Sequence, residues 1–156
     1  MNWMKKVAVA LVCLLPLGLQ AAKVDTLQVK SPSMNKSIEV VVVSPDVAVT
    51  KACPVIYLLH GYGGNARTWV GIKPDLPKIA DEKGIFFVCP DGKNTWYWDS
   101  PLNADVRYET FISNELVKYV DSHYKTVADR KGRAITGLSM GGHGAMWNGL
   151  RHTDVF

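Results

Sequence analysis

The sequence predicts an α/β fold built on a mostly parallel sheet, and three observations support this prediction. Residues 55–59 and 85–88 are continuous apolar runs, typical of parallel strands that are buried on both faces. Stretches with helical spacing of apolar residues lie between the strand-like runs, as crossovers between parallel strands require. The third observation is a glycine-rich segment around Ser139, between a short strand-like segment and a stretch of small residues that opens a helix.

The predicted elements follow one another in the order β-β-β-α-β-α-β-α. The first two strands, at 27–30 and 37–43, are expected to be antiparallel, because residues 37–40 alternate between polar and apolar as a half-exposed strand does. A helix near 74–83 ends at Gly84, which suits a C-terminal cap. The other predictions are the third strand at 55–59, the fourth at 85–88, an aromatic-rich loop at 90–104, an amphipathic helix at 106–124, the fifth strand at 133–136 and a last helix at 140–150.

The segment Gly137-Leu138-Ser139-Met140-Gly141 reads G-x-S-x-G, the pattern of the nucleophile elbow of α/β-hydrolases. A sharp strand-to-helix turn would lift the Ser139 hydroxyl above the sheet edge, and glycines let strand and helix meet that closely. We therefore predict Ser139 as a catalytic nucleophile in a turn with positive φ. The alternative is a glycine-rich turn with an incidental serine. With this elbow, the elements form the front half of an α/β-hydrolase sheet, truncated after the nucleophile-elbow helix.

The loop after the third strand, Leu59-His60-Gly61-Tyr62-Gly63-Gly64, is a second candidate feature. Acyl transfer requires donors that point at the oxyanion of the tetrahedral intermediate. In α/β-hydrolases one N–H belongs to the residue after the nucleophile and the other to this loop. We predict Met140 and Tyr62 as the oxyanion hole, with Gly61 as the alternative to Tyr62. An ordinary glycine-rich loop is the competing interpretation.

Length and composition indicate one domain, since 47% of the 156 residues are hydrophobic, enough for one core. Residues 1–22 have the order of a secretory signal peptide: Lys5 and Lys6, then the apolar residues 7–19, then a small-residue end. The apolar run is short for a membrane span. We therefore expect no stable membrane anchor after cleavage and a secreted or periplasmic protein. The alternative for this segment is a first buried strand or helix.

The charge balance and the cysteines exclude some classes of function. Without the signal peptide, 16 basic residues face 14 acidic residues, and no basic stripe indicates a nucleic-acid partner. No cofactor motif and no metal-ligand spacing is found. Cys53 precedes the third strand and Cys89 ends the fourth, which places them roughly 15–20 Å apart in a parallel sheet. A disulfide requires Cα atoms within about 7 Å, so we predict two unpaired cysteines that pack in the core.

Four motifs of the sequence form a set: Leu59-His60-Gly61-Tyr62-Gly63-Gly64, Trp96-Tyr97-Trp98-Asp99-Ser100-Pro101, Tyr108-Glu109-Thr110-Phe111 and residues 137–145 around Ser139. As a set they resemble the esterase-D-type family of α/β-hydrolases. That family includes S-formylglutathione hydrolases, acetyl and feruloyl esterases, and mycolyltransferases. The resemblance covers nearly all of residues 25–156 and implies serine ester chemistry, which needs no cofactor.

The resemblance also implies a catalytic Asp or Glu and then a His after the nucleophile, and here the sequence departs from the family. Only 17 residues follow Ser139, and they include His143, His152 and Asp154. His143 is one helical turn beyond Ser139, and the other two lie near the far end of that helix, too far along it to orient an imidazole against Ser139. We do not expect any of the four histidines, His60, His123, His143 and His152, to act as the general base. Residues 23–156 are interpreted as the N-terminal part of a catalytic domain whose acid and base lie beyond the last residue.

The aromatic loop supplies candidate substrate contacts. Trp96, Tyr97 and Trp98 fall where the loop after the fourth strand reaches the carboxyl edge of the sheet, and ligands of open α/β sheets bind outside that edge. We predict substrate binding by Trp96 and Trp98, whose rings suit a sugar ring or a phenolic acyl group, and by His60. The alternatives are that the rings pack under the loop and that His60 only packs the loop. Asp99 is expected to bond within the loop or to touch substrate.

The leading hypothesis is a secreted serine esterase that hydrolyses carboxylic esters through an acyl-enzyme on Ser139. The resemblance and the predicted export favour acetyl or feruloyl groups on carbohydrate, or short acyl esters, as small-molecule or polysaccharide substrates. An acyltransferase and a non-catalytic carbohydrate-binding domain on the same fold are the alternatives. The 156-residue chain alone is expected to be inactive, because it lacks a base for Ser139.

Overall fold

A computed structural model describes residues 22–156, so the expected signal peptide at residues 1–22 lies outside them except for Ala22. The described residues form one five-stranded sheet with the strand order β1-β2-β4-β3-β5 and with helices on both faces. The strands are β1 Lys23–Ser31, β2 Lys36–Ser44, β3 Val55–Leu59, β4 Phe86–Pro90 and β5 Arg133–Gly137. The helices are α1 Thr68–Ile72, α2 Leu76–Lys83, α3 Tyr108–Thr110, α4 Val117–His123 and α5 Met140–Arg151. Two short 3-10 helices, Asp46–Val49 and Arg130–Gly132, precede β3 and β5.

Four of the five strands run in the same direction, which confirms a mostly parallel sheet with antiparallel first strands. β2 is the reversed strand, because it pairs antiparallel with both β1 and β4. β3 lies in the parallel part between β4 and β5 and places Val55 opposite both Phe86 and Arg133. The carboxyl ends of β3, β4 and β5 therefore meet at one edge of the sheet, which is where ligands bind in open α/β sheets.

Side chains of the strands alternate between two cores, one on each face of the sheet. Tyr57 and Phe86 belong to the core beneath the helices of residues 108–123 and α5. Their neighbours Leu58 and Phe87 belong to the opposite core, beneath α1 and α2. Because both faces are buried, β3 and β4 need apolar residues at every position, which explains their continuous apolar sequence.

Two helical segments differ from the sequence predictions. α1 lies in a stretch to which no element was assigned from the sequence, and its β-branched residues and glycine disfavour a helix. Its partly buried Trp69 and Val70 pack on the sheet, so tertiary contacts override local propensity. The helix predicted at 106–124 runs from α3 into α4 through a π-helical stretch, Phe111–Leu116, that apolar periodicity could not reveal.

Two local predictions are confirmed. Gly84 ends α2 with φ +63°, the left-handed conformation that a C-terminal glycine cap adopts. Cys53 and Cys89 are both buried and unpaired. Burial raises the pKa of Cys89 to about 12, so its thiol is an inert core group.

β5 is one of the two edge strands of the described sheet and pairs only with β3 within residues 22–156. Its residues Ala134 and Thr136 are exposed. On the adjoining helix α5, Met146 and Leu150 are 68% and 73% exposed. We call these four residues the open flank. It presents unpaired backbone groups of β5 beside apolar side chains, a combination that pairs readily with further polypeptide.

Candidate active site

Ser139 lies in a tight turn between the end of β5 at Gly137 and the start of α5 at Met140. Its backbone has φ +54° and ψ −115°, a conformation that residues other than glycine rarely adopt. Ser139 is exposed, and its carbonyl accepts a hydrogen bond from His143 N–H at 3.1 Å. The predicted strained turn between a strand and a helix is therefore present at the carboxyl edge of the sheet.

Two glycines allow β5, β3 and α5 to meet at this turn. A Cβ atom at Gly141 would lie 2.2 Å from the carbonyl oxygen of Leu59, and one at Gly137 would lie 2.4 Å from the carbonyl carbon of Gly141. These neighbours are backbone atoms that cannot rotate away, so a side chain at either position would push the helix off the sheet. The spacing G-x-S-x-G thus reflects close backbone packing as well as the turn.

The loop after β3 lies directly against the turn that carries Ser139. A Cβ atom at Gly61 would lie 3.6 Å from Ser139 Cβ and 3.3 Å from the carbonyl oxygen of Leu138. Leu138 N–H in turn donates to the carbonyl oxygen of Leu59 at 3.2 Å. The two glycine-rich motifs of the sequence are therefore neighbours in space, as an oxyanion hole requires.

The backbone donors of this loop divide into engaged and available groups. Gly63 N–H donates to Oδ1 of Asn94 at 2.8 Å. The N–H groups of Gly61 and Tyr62 have no hydrogen-bond partner among residues 22–156. Met140 N–H lies in the first turn of α5, where helical N–H groups have no partner within the helix. Within the described part of the chain, all three predicted oxyanion donors are thus without a partner, and the choice between Tyr62 and Gly61 stays open.

His60 is buried, with 1% of its surface exposed, which contradicts the prediction that it contacts substrate. Its Nδ1 lies 2.7 Å from the carbonyl oxygen of Gly61, and its Nε2 accepts from Gly92 N–H at 2.9 Å. Both ring nitrogens are used inside the protein. His60 ties the loop after β3 to the loop after β4, which is the loop-packing alternative.

Trp96 and Trp98 are both partly exposed, but they contact different turns of α5. The Trp96 ring meets His143 edge-on, with ring centroids 5.3 Å apart, and the Trp98 ring meets Trp147 at 6.2 Å. His143 is one turn beyond Ser139 on α5, whereas Trp147 is two turns beyond, about 12 Å along the helix. Trp96 therefore contacts α5 about one turn nearer to its Ser139 end than Trp98 does.

Asp99 bonds within the protein rather than pointing toward the site. Its Oδ1 accepts from Thr110 N–H at 3.1 Å and its Oδ2 from the Thr110 hydroxyl at 2.6 Å. The carboxylate therefore caps the first turn of α3 from the aromatic loop. Its partner Thr110 lies in α3 and not in the loop, so this contact differs from both expectations, a bond within the loop and a contact with substrate.

Glu109 makes a buried contact between α3 and α5 that the sequence analysis missed. Its Oε1 accepts from Arg151 Nε at 2.8 Å and bonds His152 Nε2 at 2.9 Å, while Oε2 accepts from Trp147 Nε1 at 2.6 Å. Burial acts to raise the pKa of the Glu109 carboxyl, but hydrogen bonds from Arg151, Trp147 and His152 outweigh it and hold the pKa below its ordinary value. We call these four residues the Glu109 clasp. The only sequence signal was an acidic residue beside Tyr108 on the apolar side of the helix.

None of the chain's four histidines hydrogen-bonds Ser139 within residues 22–156. His60 and His152 are engaged as described above. Nδ1 of His143 lies 3.1 Å from the carbonyl oxygen of Trp96. Nδ1 of His123 lies 2.8 Å from the carbonyl oxygen of Tyr119. A general base for Ser139 is thus not found among the described residues.

The part of the chain from residue 22 onward contains no group of three or more His, Cys, Asp or Glu side chains that could hold a metal ion. In the same part of the chain, no helix combines the length and the apolar character needed to cross a bilayer.

Comparison with known sequences identifies the family. The family described as "Putative esterase" matches residues 31–156. An acetyl esterase of Caldicellulosiruptor saccharolyticus is 32% identical over 102 residues, which cover 65% of this chain and 37% of the relative. An esterase of Mycobacterium tuberculosis is 35% identical over 100 residues, or 60% of this chain and 21% of the relative.

Comparison with solved structures covers more of this chain. A ferulic acid esterase has a TM-score of 0.75 at 32% identity, over 88% of this chain and 58% of that protein. An S-formylglutathione hydrolase from Agrobacterium tumefaciens has a TM-score of 0.76 at 25% identity, over 87% of this chain and 56% of that protein. The chain thus spans little more than half of these structures and a smaller share of the curated relatives. The chain belongs to the esterase family that matches residues 31–156, and its fold is part of an α/β-hydrolase fold.

Proposed function

We propose that this chain is the nucleophile-bearing part of a serine carboxylic ester hydrolase. The observation that carries the proposal is Ser139 itself. It is exposed at a strand–helix turn with φ +54° and lies against the loop after β3 that contains Gly61, which we call the Gly61 loop. A purely binding domain has no need for this strained turn, whereas a nucleophile must project from it toward the substrate. Membership of the esterase family supports the same chemistry.

In the proposed reaction, the Ser139 hydroxyl attacks the ester carbonyl and forms a tetrahedral intermediate. Met140 N–H and the N–H of Tyr62 or Gly61 donate to its oxyanion, and one such donor contributes roughly 10²–10³-fold to kcat. A general base takes the Ser139 proton and passes it to the departing alcohol. The resulting acyl-enzyme is then attacked by water, which releases the acid and returns the proton to Ser139.

We place the general base and its acid partner in polypeptide beyond Phe156. The four histidines of this chain are bonded elsewhere, and the chain covers only 58% of the ferulic acid esterase that it resembles. The open flank beside β5 offers the place where such a segment would pair and pack.

The proposed substrate is a carbohydrate that carries acetyl or feruloyl groups, or a short acyl ester. Trp96 presents a partly exposed ring against His143, the residue one helical turn beyond Ser139, and this ring suits an aromatic acyl group or a sugar ring. A separate pocket of about 390 Å³ is lined by residues of β1, β2 and the loops after β3 and β4, and Ser139 is not among its lining residues. Its charged and amide side chains are Gln28, Lys36, Glu39, Asn65, Arg67, Asp91 and Lys93.

Export is part of the proposal, since residues 1–22 have the features of a cleavable signal peptide. N-terminal sequencing of protein recovered from the cell envelope or the medium should give a mature chain that begins near residue 22 or 23. A mature chain that still begins at Met1 contradicts this part of the proposal.

The activity test compares three proteins on p-nitrophenyl acetate: the 156-residue chain, the gene product extended beyond Phe156, and the extended form with Ser139→Ala. We expect activity from the extended form, and a loss of at least about 10³-fold on Ser139→Ala. Ser122→Ala, at another exposed serine, is the matched control and should keep full activity. Retained activity in Ser139→Ala refutes the nucleophile assignment. Equal activity of the 156-residue chain shows instead that one of its own histidines is the base.

A further inference from the structure

A buried tyrosine packs between elements that form the candidate site. Tyr97 is fully buried, although Trp96 and Trp98 on either side of it are partly exposed. Its ring fills a slot between two glycines. A Cβ atom at Gly92 would lie 2.1 Å from the ring, and one at Gly144 would lie 2.6 Å from it. The ring therefore fixes the loop after β4 against α5, the helix that begins beside Ser139.

The Tyr97 hydroxyl bridges the main chain of His60, the residue before Gly61. It accepts from His60 N–H at 2.9 Å and donates to His60 C=O at 3.2 Å. A phenol can do both at once. Burial raises the pKa of Tyr97 far above its ordinary value, so the hydroxyl keeps its proton and can donate. The start of the loop with the candidate oxyanion donors is thus held by a side chain from another loop.

The backbone of Tyr97 is held from the helix side. Asn148 Nδ2 donates to Tyr97 C=O at 3.1 Å and to Gly144 C=O at 2.9 Å. Trp96 and Tyr97 both have φ +58°, a conformation that costs free energy in residues other than glycine. Two successive residues with positive φ are stable only where contacts with the surrounding structure hold this conformation. Here they turn the Tyr97 ring inward, toward His60.

We propose that Tyr97 is a positioning residue that sets the distance between Ser139 and the N–H groups of Gly61 and Tyr62. Ser139 moves with α5 and the Gly61 loop moves with β3, and Tyr97 is bonded to both. Loss of the hydroxyl leaves His60 N–H without its partner and frees the loop to shift relative to the nucleophile. A displacement of about 1 Å at a reacting centre lowers rates by roughly 10²-fold. The kinetic consequence rests on the proposed ester hydrolysis.

The test is Tyr97→Phe in the extended gene product, with Tyr57→Phe as the matched control. Tyr57 is equally buried and lies in β3, three residues before His60, but its hydroxyl has no hydrogen-bond partner among residues 22–156. Tyr97→Phe should lower kcat for p-nitrophenyl acetate roughly 10–100-fold, with KM changed less than about 3-fold. Tyr57→Phe should leave both constants within about 2-fold of wild type.

Two further measurements separate positioning from general loss of structure. Affinity for phenylboronic acid, which mimics the tetrahedral intermediate, should fall in parallel with kcat/KM in Tyr97→Phe only. Hydrogen exchange of the Gly63 and Gly64 amides, which donate to Asn94 Oδ1 and to Gly61 C=O, should become at least about 10-fold faster in Tyr97→Phe and stay unchanged in Tyr57→Phe. The exchange measurement needs no activity. If wild type does not hydrolyse esters, the proposed function fails while the exchange still decides whether Tyr97 holds the loop.

Asn148→Ala provides a second variant, because it loosens Tyr97 from α5 without removing the hydroxyl. Asn148→Ala should also lower kcat, but by a smaller factor than Tyr97→Phe. If Tyr97→Phe does not fold, the kcat of Asn148→Ala decides whether Tyr97 is a positioning residue. The proposal is overturned if Tyr97→Phe matches Tyr57→Phe in kcat and boronate affinity. Unchanged amide exchange in the loop overturns it as well.

Discussion

Replacing Gly141 by alanine tests whether β3 and α5 approach as closely as the structure shows. The new Cβ atom would lie 2.2 Å from the carbonyl oxygen of Leu59 and 2.6 Å from its carbonyl carbon, whereas ordinary contacts begin at 3.4 Å. The helix would have to move outward by about 1 Å, because a central strand cannot yield. The neighbouring Gly142 is the matched control, since a Cβ atom there meets only Gly137 O at 3.4 Å.

The expected change in unfolding free energy is the sum of two opposing contributions. Overpacking against rigid neighbours costs about 3 kcal/mol, the upper end of the usual range. Alanine in place of a helical glycine stabilises by up to about 1 kcal/mol. Gly141→Ala should therefore lose about 2 kcal/mol of unfolding free energy, and Gly142→Ala should gain up to about 1 kcal/mol. This difference of about 3 kcal/mol corresponds to melting temperatures about 6–12 °C apart.

The measurement is urea unfolding of both variants and wild type in the extended gene product, followed by circular dichroism and tryptophan fluorescence. The slope of free energy against urea concentration should stay constant while the midpoint moves. If the two alanine variants differ by less than about 1 kcal/mol, the tight contact at Leu59 is not present. The explanation of the second glycine in G-x-S-x-G would then be wrong.

Three further predictions concern the clasp, the thiols and the tryptophans. Because the pKa of Glu109 is lowered in the folded state, its stabilisation is present above about pH 4.3 and is lost as pH falls through the folded pKa. In urea unfolding at neutral pH, the unfolding free energy of wild type should exceed that of Glu109→Gln by about 1–3 kcal/mol, and this difference should shrink in acid. A difference that does not change with pH refutes this prediction. Cys53 and Cys89, both buried, should react with a thiol reagent no faster than the protein unfolds, and rapid labelling in native buffer would contradict their burial. Trp96→Ala should raise KM for a feruloyl ester about 10-fold and Trp98→Ala should raise it less, so equal effects would contradict the placement of the two rings.

Most of the sheet could be predicted from the sequence, because its signals are local. The apolar runs of β3 and β4 are continuous since both faces are covered, and their positions follow directly from the sequence. The turn at Ser139 was also predictable, because glycines at fixed spacing mark both a strained turn and a close approach. α1 was missed, because packing of Trp69 and Val70 on the sheet decides its conformation.

The side chains that hold the site together could not be predicted, since their partners are distant in sequence. Glu109 reads as an ordinary acid on an amphipathic helix until Trp147 and Arg151 are found beside it. Tyr97 reads as one more aromatic of an exposed loop, and nothing local predicts that two residues with positive φ turn it inward. His60 was misassigned for the same reason: the bond from Gly92 that occupies its ring depends on how two loops fold together.

The position of β3 at the centre of the parallel strands has a consequence for how the protein is made. Val55 pairs on one side with Phe86, but its partner on the other side, Arg133, is synthesised 78 residues after it. At about 5–20 residues per second, translation leaves that side of β3 without its strand for roughly 4–16 s. During this interval an apolar edge faces the cell, open to any other strand. For the exported protein proposed above, capture by the export machinery before residue 133 is synthesised would keep this edge from pairing with other strands.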